Sequence, residues 1–202
     1  MKRRTIGIVD YGVGNHASVW RALSGLGYRC RVSADFHVLN ETDLLVLPGV
    51  GAFGAAMAEL HRHKLVEYLR EQSRLDKPII GLCLGMQLLA DASLEHGFTS
   101  GLGLIPGQVV PLDQARWHIG WNSIETVSED PIFRLSDGKS MYFNHSYVFD
   151  APLEFQACVA RLERPFPVAV RRANTVGLQF HPEKSQGAGR ALLSNAIEGL
   201  CS

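Results

Sequence analysis

The 202-residue sequence lacks an excess of charge of either sign, because 20 Lys and Arg residues balance 20 Asp and Glu residues. Without net charge, the chain has no long-range field that would recruit nucleic acid or an anionic membrane surface, so we expect neither as a partner. It also lacks a long hydrophobic run, since the first apolar stretch ends at Val9, before Asp10. That stretch is too short for a signal peptide or a membrane span. We therefore expect a soluble, cytoplasmic protein.

Cysteine is scarce, and its spacing excludes two further classes of protein. Cys30, Cys83, Cys158 and Cys201 lie far apart, and no two of them form a Cys-x-x-Cys pair. This spacing argues against a zinc site and against the disulfide framework of a small secreted domain. We expect no metal and a reducing compartment.

The hydrophobic pattern predicts an α/β protein. A chain of 202 residues with 46% apolar residues can bury a sizeable core, and we expect residues 1–202 to form one domain. Short apolar runs alternate with helical patterns in the first half, as in a parallel sheet. From about residue 102 onwards, strand-like segments separated by turn residues predict a mixed or antiparallel extension of the same sheet. The predicted strands of the first half are 5–9, 29–33, 43–47 and 78–82, and its helices are 15–26, 52–75 and 84–92. The later strands are 109–110, 122–127, 141–149, 156–161, 168–171 and 176–180, before a last helix at 189–200.

Cys83 stands out because it lies between two glycines in Gly81-Leu82-Cys83-Leu84-Gly85, directly after an apolar run and before a helical pattern. A nucleophile on a sharp strand-to-helix turn needs such small neighbours, since the tight backbone leaves no room for side chains beside it. The free N–H groups of the following helix would stabilise a thiolate. A buried structural cysteine is the alternative. The pattern favours a nucleophile.

Two glycine-rich turns follow predicted strands. Residues 12–17 and residues 49–54 both imitate a dinucleotide fingerprint, but a pattern that occurs twice in one chain is weak evidence for a bound cofactor. A dinucleotide would also leave Cys83 unexplained, so we expect no cofactor. The second turn has a better use as an oxyanion hole, with the backbone N–H groups of Val50 and Gly51 joined by that of Leu84.

His181 and Glu183 supply the groups that an activated thiol needs. They lie two residues apart in Phe180-His181-Pro182-Glu183, after another apolar run. The imidazole would take the thiol proton and return it to a leaving amine, and the carboxylate would fix the imidazole's tautomer. Because ligands of a doubly wound sheet bind at the carboxyl ends of its strands, we expect Cys83, the glycine loop and His181 to meet at one edge.

Taken together, these residues resemble the class I, or triad, glutamine amidotransferases, and in particular the glutaminase subunits of imidazole glycerol phosphate synthases. Gly-x-Cys-x-Gly marks only the wider superfamily. The closer likeness runs in order along nearly the whole chain. Its segments are Asp10-Tyr11-Gly12-Val13-Gly14-Asn15, residues 47–54, residues 81–87, Gly120-Trp121-Asn122, His145-Ser146-Tyr147 and residues 179–185.

The resemblance implies a flavodoxin-like three-layer α/β fold with a mostly parallel central sheet and a mixed or antiparallel C-terminal extension. It implies that Cys83 attacks glutamine, that His181 protonates the departing ammonia and that Glu183 orients His181. Ammonia would then pass to a (β/α)8-barrel cyclase subunit in a heterodimer. The implied glutamine-binding residues are Gly49, Gln87, His145, Ser146 and Tyr147, and the implied partner-facing residues are Asn15, Trp121, Tyr142 and Lys184. Ordinary core burial is the alternative for Trp121.

The sequence departs from that family in two places. Trp117 stands where Pro usually precedes the histidine, and residues 161–167 lack the usual tyrosine-glycine turn. These departures leave open a paralogous amidotransferase that supplies ammonia to another synthase, for example in sugar amidation for surface polysaccharides. A cysteine peptidase of related fold would not explain residues 10–15 or 120–122. A scaffold that has lost catalysis would show damage to the triad, and none is visible.

Overall fold

The computed structural model describes residues 3–202, so residues 1 and 2 of the expected domain lie outside it. An eight-stranded sheet runs through the molecule in the order β2-β1-β3-β4-β14-β13-β12-β9. The first five strands in that order are parallel, and β13, β12 and β9 extend the sheet with antiparallel pairings. These strands are β1 (Thr5–Val9), β2 (Arg29–Ser33), β3 (Leu44–Gly49), β4 (Ile79–Cys83), β9 (Glu125–Thr126), β12 (Gln156–Arg161), β13 (Pro165–Arg172) and β14 (Thr175–Leu178).

In the described residues 3–202, six α-helices accompany the sheet, and successive residues of its strands face two separate cores. Leu44 and Val46 of β3 join one core, and Leu45 and Leu47 join the other, as the period of two in a strand requires. The first core includes residues of α1 and α6, and the second includes residues of α2 to α5. The helices are α1 (His16–Gly25), α2 (Phe36–Asn40), α3 (Phe53–Arg62), α4 (Leu65–Arg74), α5 (Leu84–Leu88) and α6 (Gln186–Leu200). The result is three layers: helices, sheet, helices.

The expected extension of the sheet is correct only in part, because six strands form two smaller sheets. One sheet pairs β10 with β8, and the other has the order β11-β7-β5-β6. The predicted strand 141–149 is therefore two strands that separate at Ser146 and join different sheets. The predicted strand 122–127 is likewise the end of β8 and all of β9. These strands are β5 (Ala92–Ser93), β6 (Thr99–Ser100), β7 (Gln108–Pro111), β8 (His118–Ser123), β10 (Ser140–His145) and β11 (Tyr147–Asp150).

Two helix predictions also differ from the structure. The helix expected at 84–92 ends at Leu88, because the chain beyond Ala90 is drawn into the small sheet, where the Asp91 N–H donates to the carbonyl of Gly107. The short helix α2 was not expected. Its N-cap is Asp35, whose side chain accepts a hydrogen bond from the His37 N–H.

In residues 3–202, no helix has the length and apolar character needed to cross a membrane.

Close backbone packing at the end of β4 sets the position of Cys83. A Cβ on Gly85 would lie 1.8 Å from the carbonyl oxygen of Leu47 in β3. A Cβ on Gly81 would lie 2.5 Å from the carbonyl oxygen of Gly85. Both distances are impossible contacts with backbone atoms, so the two glycines that flank Cys83 let α5 fold back against β3 and β4.

The substitution Gly85→Ala is expected to destabilise the protein by at least about 1–3 kcal/mol, because the backbone of β3 must move to admit the methyl group. Denaturant unfolding followed by circular dichroism measures the change. Gly25→Ala at the end of α1 is the matched control, since nothing lies within 4 Å of a Cβ there, and it should change stability by less than about 1 kcal/mol. Equal effects of the two substitutions would contradict this account of the turn.

Candidate active site

Three neighbouring parallel strands carry the candidate catalytic groups to one edge of the sheet. Cys83 ends β4, His181 follows β14, and Gly49 ends β3. The register pairs Gly49 directly with Cys83, so the glycine loop begins beside the thiol. The expectation that these segments meet at the carboxyl ends of parallel strands is therefore correct.

The backbone of Cys83 has an unusual conformation for a residue with a side chain. Its φ is 54° and its ψ is −112°, between the end of β4 and the first residue of α5. Such left-handed geometry costs energy for a residue other than glycine and is concentrated at functional sites. The thiol is 6% exposed, and its Sγ lies 3.9 Å from the Asn144 carbonyl oxygen and 3.9 Å from Nε2 of Gln179.

His181 and Glu183 form a buried pair in which the carboxylate fixes the imidazole. The His181 Nδ1–H donates to Oε1 of Glu183 at 2.8 Å, and the two side chains are 5% and 2% exposed. Since a carboxylate only accepts, this bond leaves Nε2 to face the thiol. Burial alone would lower the pKa of His181, but hydrogen bonds to Cys83 and Glu183 and the charges of both partners raise that pKa to about 9.

A cavity of about 260 Å³ opens at the thiol. It is smaller than the usual range for drug-sized ligands, so it suits a small metabolite. Most of the residues expected from the sequence lie on its wall. These are Val50, Gly51, Cys83, Leu84, Gln87, His145, Ser146, Tyr147, His181 and Lys184, and two unexpected residues, Glu95 and Asn144, join them.

Gly49, for which the resemblance implies a glutamine-binding role, does not itself line the cavity. It lies buried in β3 beside the cavity, and a Cβ there would lie 2.8 Å from the hydroxyl of Tyr11 and 2.9 Å from the N–H nitrogen of Gly85. The Tyr11 hydroxyl itself donates to the carbonyl of Pro48 at 2.7 Å. The structure therefore gives Gly49 a packing role at the start of the loop, whose Gly51 has a φ of +91°.

The side chains of Gln87 and His145 stabilise the cavity wall, to which both residues belong, through hydrogen bonds. Gln87 Nε2 donates to the Tyr147 carbonyl at 3.2 Å and to Oε1 of Gln179 at 3.0 Å. The His145 Nδ1–H donates to the same Tyr147 carbonyl at 2.8 Å. Burial lowers the pKa of His145 to about 4. The charges of His118 and His181 also lower this pKa, whereas the hydrogen bond to the Tyr147 carbonyl raises it.

Glu95 is the functional candidate that sequence reasoning missed. It follows β5 in a polar stretch, Leu94-Glu95-His96-Gly97, where no motif marks it. Its Oε2 accepts from the N–H of Phe53 at 2.7 Å, which holds the carboxylate at the cavity. Because this contact joins residues 42 positions apart, no local pattern could reveal it.

Of the four residues expected to face a partner, Asn15, Trp121 and Tyr142 lie outside the cavity, and Lys184 lines it. Trp121 is 51% exposed and packs edge-on against Tyr142 with 5.9 Å between ring centroids, and Lys184 Nζ lies 5.9 Å from the Tyr142 ring. The alternative of core burial for Trp121 is therefore wrong. Asn15 is exposed at the start of α1, where its side chain accepts from the Ser18 N–H. Trp117, directly before β8, and Ile119, within β8, are also about half exposed.

In the described residues 3–202, no three His, Cys, Asp or Glu side chains cluster in a way that could hold a metal ion.

Comparison with known proteins identifies the family. Residues 7–199 match the sequence model of the family described as glutamine amidotransferase class-I. The chain belongs to this family. Among curated proteins, it is 44% identical over 196 residues to the imidazole glycerol phosphate synthase subunit HisH of Streptococcus gordonii, covering 95% of this chain and 94% of that one. The HisH subunit of Carboxydothermus hydrogenoformans is 42% identical over 196 residues, with 96% and 98% coverage.

A solved structure shares the fold. The structure of PurLQS from Thermotoga maritima matches with a TM-score of 0.79, covering 98% of this chain and 99% of that chain at 18% identity. At that identity the likeness concerns the fold alone. Together with the family match and the sheet order, it confirms the three-layer fold expected from the resemblance, with a mostly parallel central sheet.

Replacing Glu183 with Gln is expected to lower the pKa of His181 below its value of about 9. The variant loses the carboxylate charge that stabilises the imidazolium, while burial continues to destabilise it. A histidine-selective NMR titration of both proteins measures the shift. In the wild type, the raised pKa of His181 contributes to the stability of the fold. This contribution is complete below about pH 6.5 and is lost as the pH rises through about 9. An unchanged pKa in the variant would show that Glu183 does not act on His181.

Acid should destabilise the wild type more steeply than a His145→Leu variant. His145 stays neutral in the folded chain down to about pH 4 but binds a proton below about 6.5 when unfolded, so stability falls as pH drops between these values. The difference in the free energy of unfolding should change by up to about 3 kcal/mol across this window. Urea unfolding at a series of pH values measures both slopes, and parallel slopes would contradict the lowered pKa.

Proposed function

We propose that the chain is the glutaminase subunit of an imidazole glycerol phosphate synthase, acting in histidine biosynthesis in the cytoplasm. The observation that carries the proposal is that Cys83 and His181 line one small cavity, while Glu183 is hydrogen-bonded to His181. The chain's 40–44% identity to HisH subunits over nearly its full length supports the same function. We also propose that residues 1–202 act as one glutamine amidotransferase domain.

In the proposed reaction, Sγ of Cys83 attacks the side-chain amide carbon of glutamine, and Nε2 of His181 receives the thiol proton. The backbone N–H groups of Leu84 and the Val50-Gly51 loop stabilise the negative charge on the amide oxygen. His181 then protonates the leaving nitrogen, which departs as ammonia and leaves a thioester. Water hydrolyses the thioester to glutamate and restores the thiol. Glu183 holds His181 in the required tautomer and stabilises the imidazolium.

The cavity offers groups suited to the two ends of glutamine. The Glu95 carboxylate, held by the Phe53 N–H, provides a partner for the α-ammonium group. The His145-Ser146-Tyr147 backbone provides the opposite wall, which Gln87 supports through the Tyr147 carbonyl. The Glu95 assignment is our inference from the cavity, and the others follow the resemblance.

The proposed partner is a (β/α)8-barrel cyclase subunit that consumes the ammonia and releases imidazole glycerol phosphate and an aminoimidazole carboxamide nucleotide. Trp121, Tyr142 and Lys184 form a contiguous exposed group on the flank of His181, whose N–H donates to the Tyr142 carbonyl at 2.9 Å. Asn15, the N-cap of α1, is the fourth residue that the resemblance assigns to the partner interface. Half-exposed aromatic side chains of this kind are typical of interface anchors.

The second candidate is a paralogue that delivers ammonia to another synthase, such as one that amidates sugars. Trp117 favours this second candidate. The residue departs from the family pattern, is about half exposed and lies on the proposed partner face. The chemistry of Cys83, His181 and Glu183 would be the same. Only the identity of the stimulating partner separates the two functions.

The decisive experiment measures glutamate release from glutamine by the purified chain, alone and with the barrel cyclase subunit and its nucleotide substrate. We expect weak activity alone and strong stimulation in the complex. Hydrolysis that ignores this partner would favour the paralogue, and peptide cleavage without glutamine hydrolysis would overturn the amidotransferase function.

The variant Cys83→Ala is expected to lose all glutamine hydrolysis, because no other thiol lies at the cavity, while it keeps its fold and its partner affinity. Activity assays and titration of the barrel subunit measure the two properties separately. Cys201→Ala is the control, since that thiol lies at the end of α6 and should be dispensable. Loss of partner binding in Cys83→Ala would count against a purely catalytic role.

A further inference from the structure

Two buried imidazoles lie at the cavity, His145 in its wall and His118 behind that wall, and the reaction above gives neither of them a chemical step. His118 of β8 and His145 of β10 are 6% and 7% exposed. The His118 ring stacks on Phe143 with 4.4 Å between centroids and meets Phe166 edge-on at 5.5 Å. A polar ring in such an apolar setting is costly unless each nitrogen has a partner.

Every nitrogen of the two rings has such a partner. His145 Nδ1 lies 2.8 Å from the Tyr147 carbonyl oxygen, and His145 Nε2 lies 3.0 Å from His118 Nδ1. His118 Nε2 lies 3.3 Å from Nδ2 of Asn122, and the same Nδ2 donates to the Arg161 carbonyl at 2.8 Å. The chain of contacts therefore runs unbroken from β8 to the first residue of β11.

The directions of these hydrogen bonds follow from the two ends. The Tyr147 carbonyl can only accept, so His145 carries its proton on Nδ1 and its Nε2 accepts. His118 must then donate from Nδ1, which leaves its Nε2 to accept from the Asn122 amide. Both histidines are neutral Nδ1–H tautomers, and all the bonds point the same way.

The end of this chain of bonds is a wall of the cavity. The Tyr147 carbonyl accepts from both His145 and Gln87, so the peptide that borders the cavity is held by two donors. The preceding carbonyl, of Ser146, accepts from the Leu112 N–H at 2.9 Å. A wall fixed in this way needs little rearrangement when a ligand binds, which lowers the cost of binding.

We propose that Asn122 and His118 are positioning residues for glutamine, which act through His145 to hold the Ser146-Tyr147 wall of the cavity in its binding conformation. The inference rests on the proposed glutaminase function. It gives the Asn122 of the Gly-Trp-Asn segment a role inside the subunit, although its neighbour Trp121 lies on the surface. The competing view is that the two rings only fill space in the core.

Glutaminase kinetics of the complex with the barrel subunit test the proposal. His118→Leu removes both hydrogen bonds and keeps an apolar side chain against Phe143, so KM for glutamine should rise about tenfold with kcat little changed. His118→Asn returns a donor near the position of Nδ1 and should recover most of the affinity. His37→Leu, at an exposed histidine of α2, is the control and should match the wild type.

A space-filling role predicts other outcomes. If the rings only fill space, KM should be unchanged in His118→Leu, or His118→Asn should have the larger defect because Asn fills the space less well. Either result would overturn the inference and leave the glutaminase function intact. No glutamate release by the wild-type complex would overturn both. The alkylation rate of Cys83 by iodoacetamide should be the same in all variants, and slower alkylation in His118→Leu would move the effect to the triad and contradict the proposal.

The hydrogen-bond directions can be checked in the chain itself. Nitrogen-15 NMR of the histidine rings should show His118 and His145 as Nδ1–H tautomers at neutral pH. An Nε2–H tautomer at His145 would break the bond to the Tyr147 carbonyl and would overturn the proposal independently of any enzyme assay.

Discussion

The site depends on one backbone contact, the approach of α5 to β3 that the missing side chain of Gly85 allows. This contact forces the chain to turn back immediately after Cys83, and the turn leaves Cys83 with a positive φ. The strain is tolerated because β4 is paired on both sides, by β3 and β14, and cannot relax without breaking both pairings. The same pairings bring in Gly49 and His181, so the geometry of the site follows from the sheet.

Three histidines around this site differ in charge for a physical reason. His181 has Cys83 and Glu183 as partners, and their hydrogen bonds and charges outweigh the cost of burial and raise its pKa to about 9. His145 and His118 have only neutral partners, so burial prevails and both rings stay neutral. The site thus combines His181, which exchanges a proton, with His145 and His118, whose ring protons stay on fixed nitrogens. The hydrogen-bond partners of each histidine ring, more than its depth of burial, determine its role.

The sequence was sufficient to predict the parallel half of the fold and the positions of Cys83, His181 and Glu183. These residues follow apolar runs that form central strands, where local pattern and tertiary structure agree. It was insufficient for the second half, because strands 140–145 and 147–150 read as one run, and only the choice of pairing partner separates them at Ser146. Glu95 and the contact between His118 and His145 escaped for the same reason, since each depends on residues far apart in the chain.

The location of the tryptophans has a consequence for spectroscopy. Trp20, Trp117 and Trp121 are the chain's three tryptophans, and all are 45–53% exposed. Their indole rings already contact water in the folded state, so the intrinsic fluorescence of this protein is mainly a surface signal. It reports weakly on the packing of the core, where Phe and Tyr are the buried aromatic residues. An event that covers the face around Trp117 and Trp121 would change the solvent environment of two of the three emitters.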